Sequence, residues 1–294
     1  MKGQVKLISA MLIFGSIGLF VKNIHLSSSE IALLRGAIGS IFLLALSFLV
    51  RQRPSFSVIK ENLILLLLSG AALGFNWIFL FEAYRYTTIS NSTISYYFAP
   101  IIVMVLAPFI LKEKLTRIKI VSLLLAMVGL ILVVNNGGGS IDGAYNHAVG
   151  IIYGLLAATL YASVILMNKF IRNLSGFETT LIQLMMASIV LAPYVYIKEG
   201  LDFSGINSQS VILILILGMV HTGVAYFLYF GAIKELKGQT IAVLSYIDPI
   251  SAVIFSFLFL GEHMGALQII GGILVLGSTF LSEKEFGLRK KDKT

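Results

Sequence analysis

Cysteine is absent from this 294-residue chain. Disulfides, thiolate metal sites and a thiol nucleophile are therefore excluded. Charge is scarce as well: Asp, Glu, Lys and Arg make up 12% of the residues, against about 25% in an ordinary soluble domain. The four histidines, His25, His147, His221 and His263, are too scattered to form a spaced metal motif. No phosphate-cradling Gly-rich loop with a lysine, no HExxH and no GxSxG occurs. A self-sufficient ATP-driven pump, a metal-dependent enzyme and a lipid-modifying hydrolase all lack their parts. No catalytic residue, metal or cofactor is expected.

Apolar sequence fills the space that charge leaves: 57% of the residues are hydrophobic and the mean hydropathy is +0.93. Nearly uncharged runs close to 20 residues long recur along the chain, and each is long enough for a helix that crosses a bilayer at 1.5 Å per residue. The pattern predicts ten helices: Val5–Lys22, Ile31–Val50, Asn62–Ala83, Ser90–Leu111, Ile118–Asn135, Val149–Lys169, Glu178–Ile197, Val211–Phe230, Gly238–Leu260 and Ala266–Leu281. The connections are short. The longest, NNGGGSIDGAYNH, reads as a flexible loop, and the polar tail EKEFGLRKKDKT reads as disordered.

A net charge of +8 raises a nucleic-acid reading, but the basic residues sit in short loops between spans. With the N-terminus inside, the inner segments collect Lys2, Lys6, Arg51, Arg53, Lys60, Lys112, Lys114, Arg117, Lys119, Lys169, Arg172, Lys234, Lys237 and the basic tail. The outer side holds Lys22, Arg85 and Lys198. That bias predicts a multi-pass protein of the plasma membrane with both termini in the cytoplasm. Lys2 and Lys6 resemble the start of a signal peptide, but no A-x-A cleavage site follows.

The second half echoes the first. Tyr97-Phe98-Ala99-Pro100 aligns with Tyr246-Ile247-Asp248-Pro249, and at nearly the same offset Glu30 pairs with Glu178, Glu113 with Glu262, Lys22 with Lys169 and Gly74 with Gly223. Rare residue types agree in spacing, which points to duplication. Each half holds five predicted spans. Five is odd, so the copies are expected in opposite orientations, the arrangement of alternating-access transporters with a solute site near the midplane. The expected fold is an all-α polytopic membrane protein: ten transmembrane helices as two inverted five-helix repeats around a central cavity. Residues 1–136 form the first repeat, 137–148 an extracytoplasmic linker, 149–282 the second repeat and 283–294 a cytoplasmic tail.

The segments YYFAPIIVMVLAPFILKEKL and SYIDPISAVIFSFLFLGEHM, each followed by a helix rich in small residues, resemble the drug/metabolite transporter superfamily in its ten-helix EamA-type branch. Phe14-Gly15-Ser16, Lys22 and Arg35 are similar too, and the likeness runs from Val5 to Leu281. It implies inverted repeats, a central cavity and export or exchange of small metabolites such as amino acids. It says nothing about which solute.

Asp248 is the first candidate. A carboxylate at mid-depth costs about 2.5–3.5 kcal/mol, tolerable where it looks into a cavity. Pro249 beside it, like Pro100 in the first repeat, frees a backbone carbonyl and predicts a helix kink. Ser245, Asp248, Ala252 and Ser256 share one small, polar stripe expected to face inward. Asp248 is read as a proton-titrating or amine-binding group; the alternative is a protonated residue serving structure alone. His221, mid-helix, is a candidate proton carrier because histidine changes charge near neutral pH, and a simple hydrogen-bonded histidine is its plainer reading. Contact between His221 and Asp248 stays open. Arg35 and Glu82, at matching depth, are read as an ion pair that holds helices or closes a gate, with Arg35 on a substrate carboxylate as the lesser option. Asn76, Trp77, Tyr96, Tyr97, Tyr226 and Tyr246 are candidate solute contacts, since rings with a carboxylate suit an amine or zwitterion; packing is the competing role. Glu113 and Glu262 close their helices and read as structural. Gly271-Gly272, Gly277-Ser278, Ala126 and Gly129 read as a close helix contact inside a monomer or, less simply, as a dimer seam.

The functional expectation is a secondary transporter for a small metabolite (amino acid, amine or related solute), by export or exchange, with proton coupling as an option. The alternative is a lipid-handling flippase or sensor without small-solute transport. Expected partners are the solute and membrane lipid, with no nucleic acid, in a monomer or homodimer.

Overall fold

A computed structural model describes residues 3–49, 55–112, 116–135, 146–200, 206–236 and 238–291, and they are helical with no strand among them. Helices α1 (Gly3–Gly15) and α2 (Ile17–Lys22) meet at Ser16. Then come α3 (Ser28–Leu49), a short α4 (Phe56–Glu61), α5 (Leu63–Tyr86), α6 (Ile89–Tyr96), α7 (Ala99–Ile110), α8 (Arg117–Asn135), α9 (His147–Asn168) and α10 (Gly176–Glu199). Helix α11 (Ser208–Ile216) passes through a π-helical stretch, Leu217–Val224, into α12 (Ala225–Glu235). The chain ends with α13 (Gly238–Ser245), α14 (Ile247–Leu260) and α15 (Ala266–Lys291). Among the described residues, seven helical stretches are long and apolar enough to cross a membrane, and Ile247–Leu260 and Ala266–Ser278 are shorter apolar helices.

Burial follows the logic of a lipid-facing bundle. Ile41, Leu49, Ile64, Phe109 and Ile197 are exposed, whereas Ser69, Asn76, Ser92 and Ser95 are fully buried. Large apolar side chains face outward, where lipid is their solvent, and polar groups turn in to find partners. Helices α3 and α10 start alike. At α3 the Ser27 hydroxyl accepts from Glu30 N–H at 3.2 Å, and Glu30 accepts from Ser27 N–H at 2.8 Å. Ser175 and Glu178 form the same reciprocal cap on α10. Glu30 and Glu178, which the sequence echo pairs, thus make the same kind of cap on α3 and α10.

Three predicted helices are interrupted, at Ser16, at Tyr97–Phe98 and at Tyr246. The latter two breaks fall just before Pro100 and Pro249, whose missing N–H leaves a carbonyl four residues earlier unbonded. The expected disorder of the tail is corrected as far as Lys291, which continues α15; Glu, Lys, Leu and Arg are good helix formers. Lys2, Arg51, Arg53, Glu113, Lys114, Lys237, linker residues 137–145 and the tail's last three residues lie outside the described residues.

Helices α8 and α15 meet through glycines, within the chain. A Cβ on Gly129 would lie 2.6 Å from the Gly271 carbonyl oxygen and 2.9 Å from the Leu274 Cβ. Gly277 meets nothing within 4 Å, so its expected part in this contact is not made. Gly129→Leu is therefore expected to destabilise the protein by about 1–3 kcal/mol through overpacking, read as a lower midpoint of thermal unfolding in detergent. Gly277→Leu is expected to leave that midpoint where it is.

Candidate functional site

Helix breaks and the π stretch place the chemistry. Asp248 lies in the first turn of α14, immediately after the Tyr246 interruption. Its Oδ2 accepts a 2.8 Å hydrogen bond from the Tyr97 hydroxyl, at the matching break between α6 and α7. Thus the two breaks face each other across the bundle. Along the same helix, Ser256 is fully buried and its hydroxyl lies 3.0 Å from that of Ser90 on α6. Ser251 and Ala252 are buried as well.

Arg35 on α3 is 3% exposed. Its Nε donates to the Thr222 hydroxyl at 2.9 Å, and its guanidinium carbon stands 4.4 Å from the centre of the Trp77 ring. Thr222 and His221 belong to the π stretch. The Thr222 hydroxyl also donates to the Leu217 carbonyl at 3.2 Å, and His221 Nδ1 lies 3.4 Å from the Ile216 carbonyl. Both reach back five residues, the spacing of a π-helix, which is common at functional sites. His221 Nε2 is 2.9 Å from the Ser16 hydroxyl, at the break between α1 and α2, and its ring meets that of Phe20 edge-on at 4.4 Å. His221 and Asp248 are thus each held by other residues, and no hydrogen bond between them exists among the described residues.

Several tyrosines lie near one or both of these charges. Tyr84 and Tyr226 lie within electrostatic range of both Arg35 and Asp248, and Tyr96, Tyr97 and Tyr161 lie within range of Asp248. Tyr96 packs on Tyr161 with ring centres 5.5 Å apart, and Tyr226 stacks on Phe230 at 6.0 Å and meets Phe14 edge-on at 5.3 Å. Asn76 is fully buried and donates to the Ala157 carbonyl at 2.6 Å. Its Oδ1 makes no hydrogen bond by geometry, although the Tyr96 hydroxyl is nearby.

One expectation changes. Arg35 and Glu82 form no ion pair: Glu82 lies 3.6 Å from Arg85, one turn on along α5, while Arg35 lies against Trp77. Tyr246 packs edge-on against Phe280 of α15, with ring centres 5.7 Å apart. Sequence reasoning missed Tyr84, Tyr161 and Thr222, and it named Ser16 only as part of the Phe14-Gly15-Ser16 resemblance; tyrosines in a chain with 12 of them carry no signal of their own.

Above Arg35 a cavity of ≈ 940 Å³ opens at the end of the bundle that bears Lys22, His25, Arg85 and Lys198. Phe81 and Tyr84 belong to its wall. Both are buried, and the Phe81 ring centre is 5.8 Å from the Arg35 guanidinium. The Phe81 ring thus borders both the vestibule and the Arg35 guanidinium.

An α-helical bundle with an apolar exterior, and with Arg35 and Asp248 set inside it near tyrosines, defines a multi-pass membrane protein built around a polar interior. The chain belongs to the EamA-like transporter family, whose model matches residues 1–135 and again 148–283, and with it to the drug/metabolite transporter superfamily. It is 29% identical to the uncharacterized transporter YxxF of Bacillus subtilis (strain 168), over 95% of this chain and 88% of that protein. It is 27% identical to an uncharacterized transporter of Clostridium kluyveri, over 81% and 78% of the two chains. For one of Archaeoglobus fulgidus the identity is 25%, over 96% and 97%. A solved crystal structure superposes with a TM-score of 0.63 at 16% identity, covering 95% of this chain and 96% of its own; that likeness concerns the fold alone. The protein is a membrane transporter by family.

Proposed function

We propose that the chain is a secondary transporter that carries a small zwitterion or amine, such as an amino acid, across the cytoplasmic membrane by alternating access, in export or exchange. One observation carries this reading. Arg35, buried against Trp77 and bonded to Thr222, and Asp248, bonded to the Tyr97 hydroxyl beside a helix break, are charged groups inside the bundle, and neither has an ion-pair partner among the described residues. A buried charge without a counter-ion is expensive. A solute that brings a carboxylate to Arg35 and an ammonium to Asp248 supplies both missing partners, and Tyr96, Tyr97 and Tyr226 offer ring faces to its body.

The architecture that goes with this function is ten spans in two inverted repeats, residues 1–136 and 149–282, with both termini in the cytoplasm. Support comes from the family model matching the chain twice. The paired helix breaks at Tyr97 and Tyr246 and the paired caps at Glu30 and Glu178 point the same way. Asp248 and His221 are the groups through which a proton gradient would couple. A lipid-handling role calls for a groove open to lipid; burial of Arg35 and Trp77 speaks against one at this site.

The test is flux in sealed proteoliposomes carrying purified protein, over a panel of amino acids, amines and nucleosides, with and without a pH gradient. At least one ammonium-bearing solute is expected to move faster than in protein-free vesicles. Rates equal to protein-free vesicles across the panel overturn the reading.

A further inference from the structure

The end of the bundle next to the vestibule is tied by an ion pair that the central site does not need. Glu262 follows Gly261, whose φ of +64° is the left-handed turn that ends α14. That turn brings the Glu262 carboxylate to two partners. Oε1 lies 2.6 Å from Lys22 Nζ, at the end of α2, and Oε2 accepts from the Ile89 N–H at 2.9 Å, at the start of α6. The carboxylate side chain is 7% exposed and the lysine 15%, so solvent screens the pair far less than a surface one. Below this point α2, α6 and α14 stay in contact, joined by the end of α1. Gly18 lies against Ile89, Ser90 against Ser256, Gly15 against Ser251 and the Asp248 carbonyl, and Tyr97 bonds Asp248.

We propose that Lys22 and Glu262 are a latch: their pairing holds α2, α6 and α14 together and closes this end over Asp248, and it opens during each transport cycle. The inference rests on the alternating-access reading above. A pair confined to one helix would stiffen it and do nothing else. This one joins the ends of three helices whose other contacts lead step by step to the candidate solute carboxylate. Lys22 also lines the vestibule, so one partner is within reach of the aqueous phase when the pair parts.

Two measurements test it, and the absence of native cysteine makes both clean. The first needs no solute. Ser90→Cys, buried beneath the latch, is labelled with a maleimide in detergent-purified protein. Adding Lys22→Met or Glu262→Gln is expected to raise its labelling rate about tenfold. Ser122→Cys, equally buried on α8, serves as the control and keeps its slow rate. An unchanged rate at position 90, or an equal rise at both positions, overturns the latch. The second uses Lys22→Cys with Glu262→Cys, bridged by a short bismethanethiosulfonate linker that reductant removes. Bridging is expected to cut flux at least tenfold while solute-induced stabilisation persists, and reductant to restore it. Flux that survives complete bridging makes the pair a static staple and overturns the proposal. Absence of flux in the unbridged wild type is a failure of the transporter reading instead, and the labelling result still stands or falls by itself.

Discussion

Asp248→Asn is expected to weaken binding of ammonium-bearing solutes by roughly 10–100-fold, because a hydrogen bond to a charged group contributes about 1.5–3 kcal/mol and each 1.4 kcal/mol is a factor of ten. The substitution is chosen for what it leaves intact. The asparagine carbonyl still accepts from the Tyr97 hydroxyl, now 2.8 Å from Oδ2. Ser251 bonds the backbone carbonyl of residue 248, not its side chain. Helix α14 and its break therefore keep their supports, and the only large change is the loss of a negative charge. The measurement is solute-dependent thermal stabilisation over the same panel, with flux as the second readout. A wild-type response in Asp248→Asn would remove the carboxylate from the solute site and leave it a structural partner of Tyr97.

Much of this arrangement was legible in the sequence. Hydropathy and length located the apolar helices, and rare residues at nearly the same offset marked an echo between the halves. Pro100 and Pro249 announced the helix breaks, since a residue without an N–H must interrupt the ladder. Individual partners were not legible. Depth counted from expected helix ends put Arg35 and Glu82 at one level, but it ignores how neighbouring helices shift and rotate against each other. Arg35 meets Trp77, more than a turn from Glu82 along α5, and Thr222, while Glu82 turns to Arg85. The π stretch was invisible for a related reason: its extra residue per turn comes from packing, not from any local propensity in LGMVHTGV. It re-aims His221 toward Ser16 and Thr222 toward Arg35. Lys22 and Glu262 each stood out as repeat partners of other residues. That they meet each other depends on the left-handed turn at Gly261, which a sequence pattern does not reveal.

Arg35 separates the two solute classes that Asp248 cannot. Arg35→Gln is expected to cost zwitterions roughly 10–100-fold in affinity, on the same accounting for a charged hydrogen bond, while amines without a carboxylate keep wild-type binding. The fold should tolerate the change. Losing the contact over Trp77 forfeits about 0.5–2 kcal/mol of cation–π attraction, but removing a cation that is 3% exposed also removes its desolvation penalty. These contributions oppose each other, so the unfolding midpoint without solute is expected to move little. Arg35→Lys makes the sharper comparison. It keeps the charge but loses the planar face over Trp77 and the Nε bond to Thr222, and an ammonium cannot hold a carboxylate with two parallel bonds. Zwitterion affinity in Arg35→Lys should fall between wild type and Arg35→Gln, with amines again unaffected. Equal losses for zwitterions and amines in both variants would mean that Arg35 braces Thr222 and the π stretch, leaving Asp248 as the only charge that selects the solute.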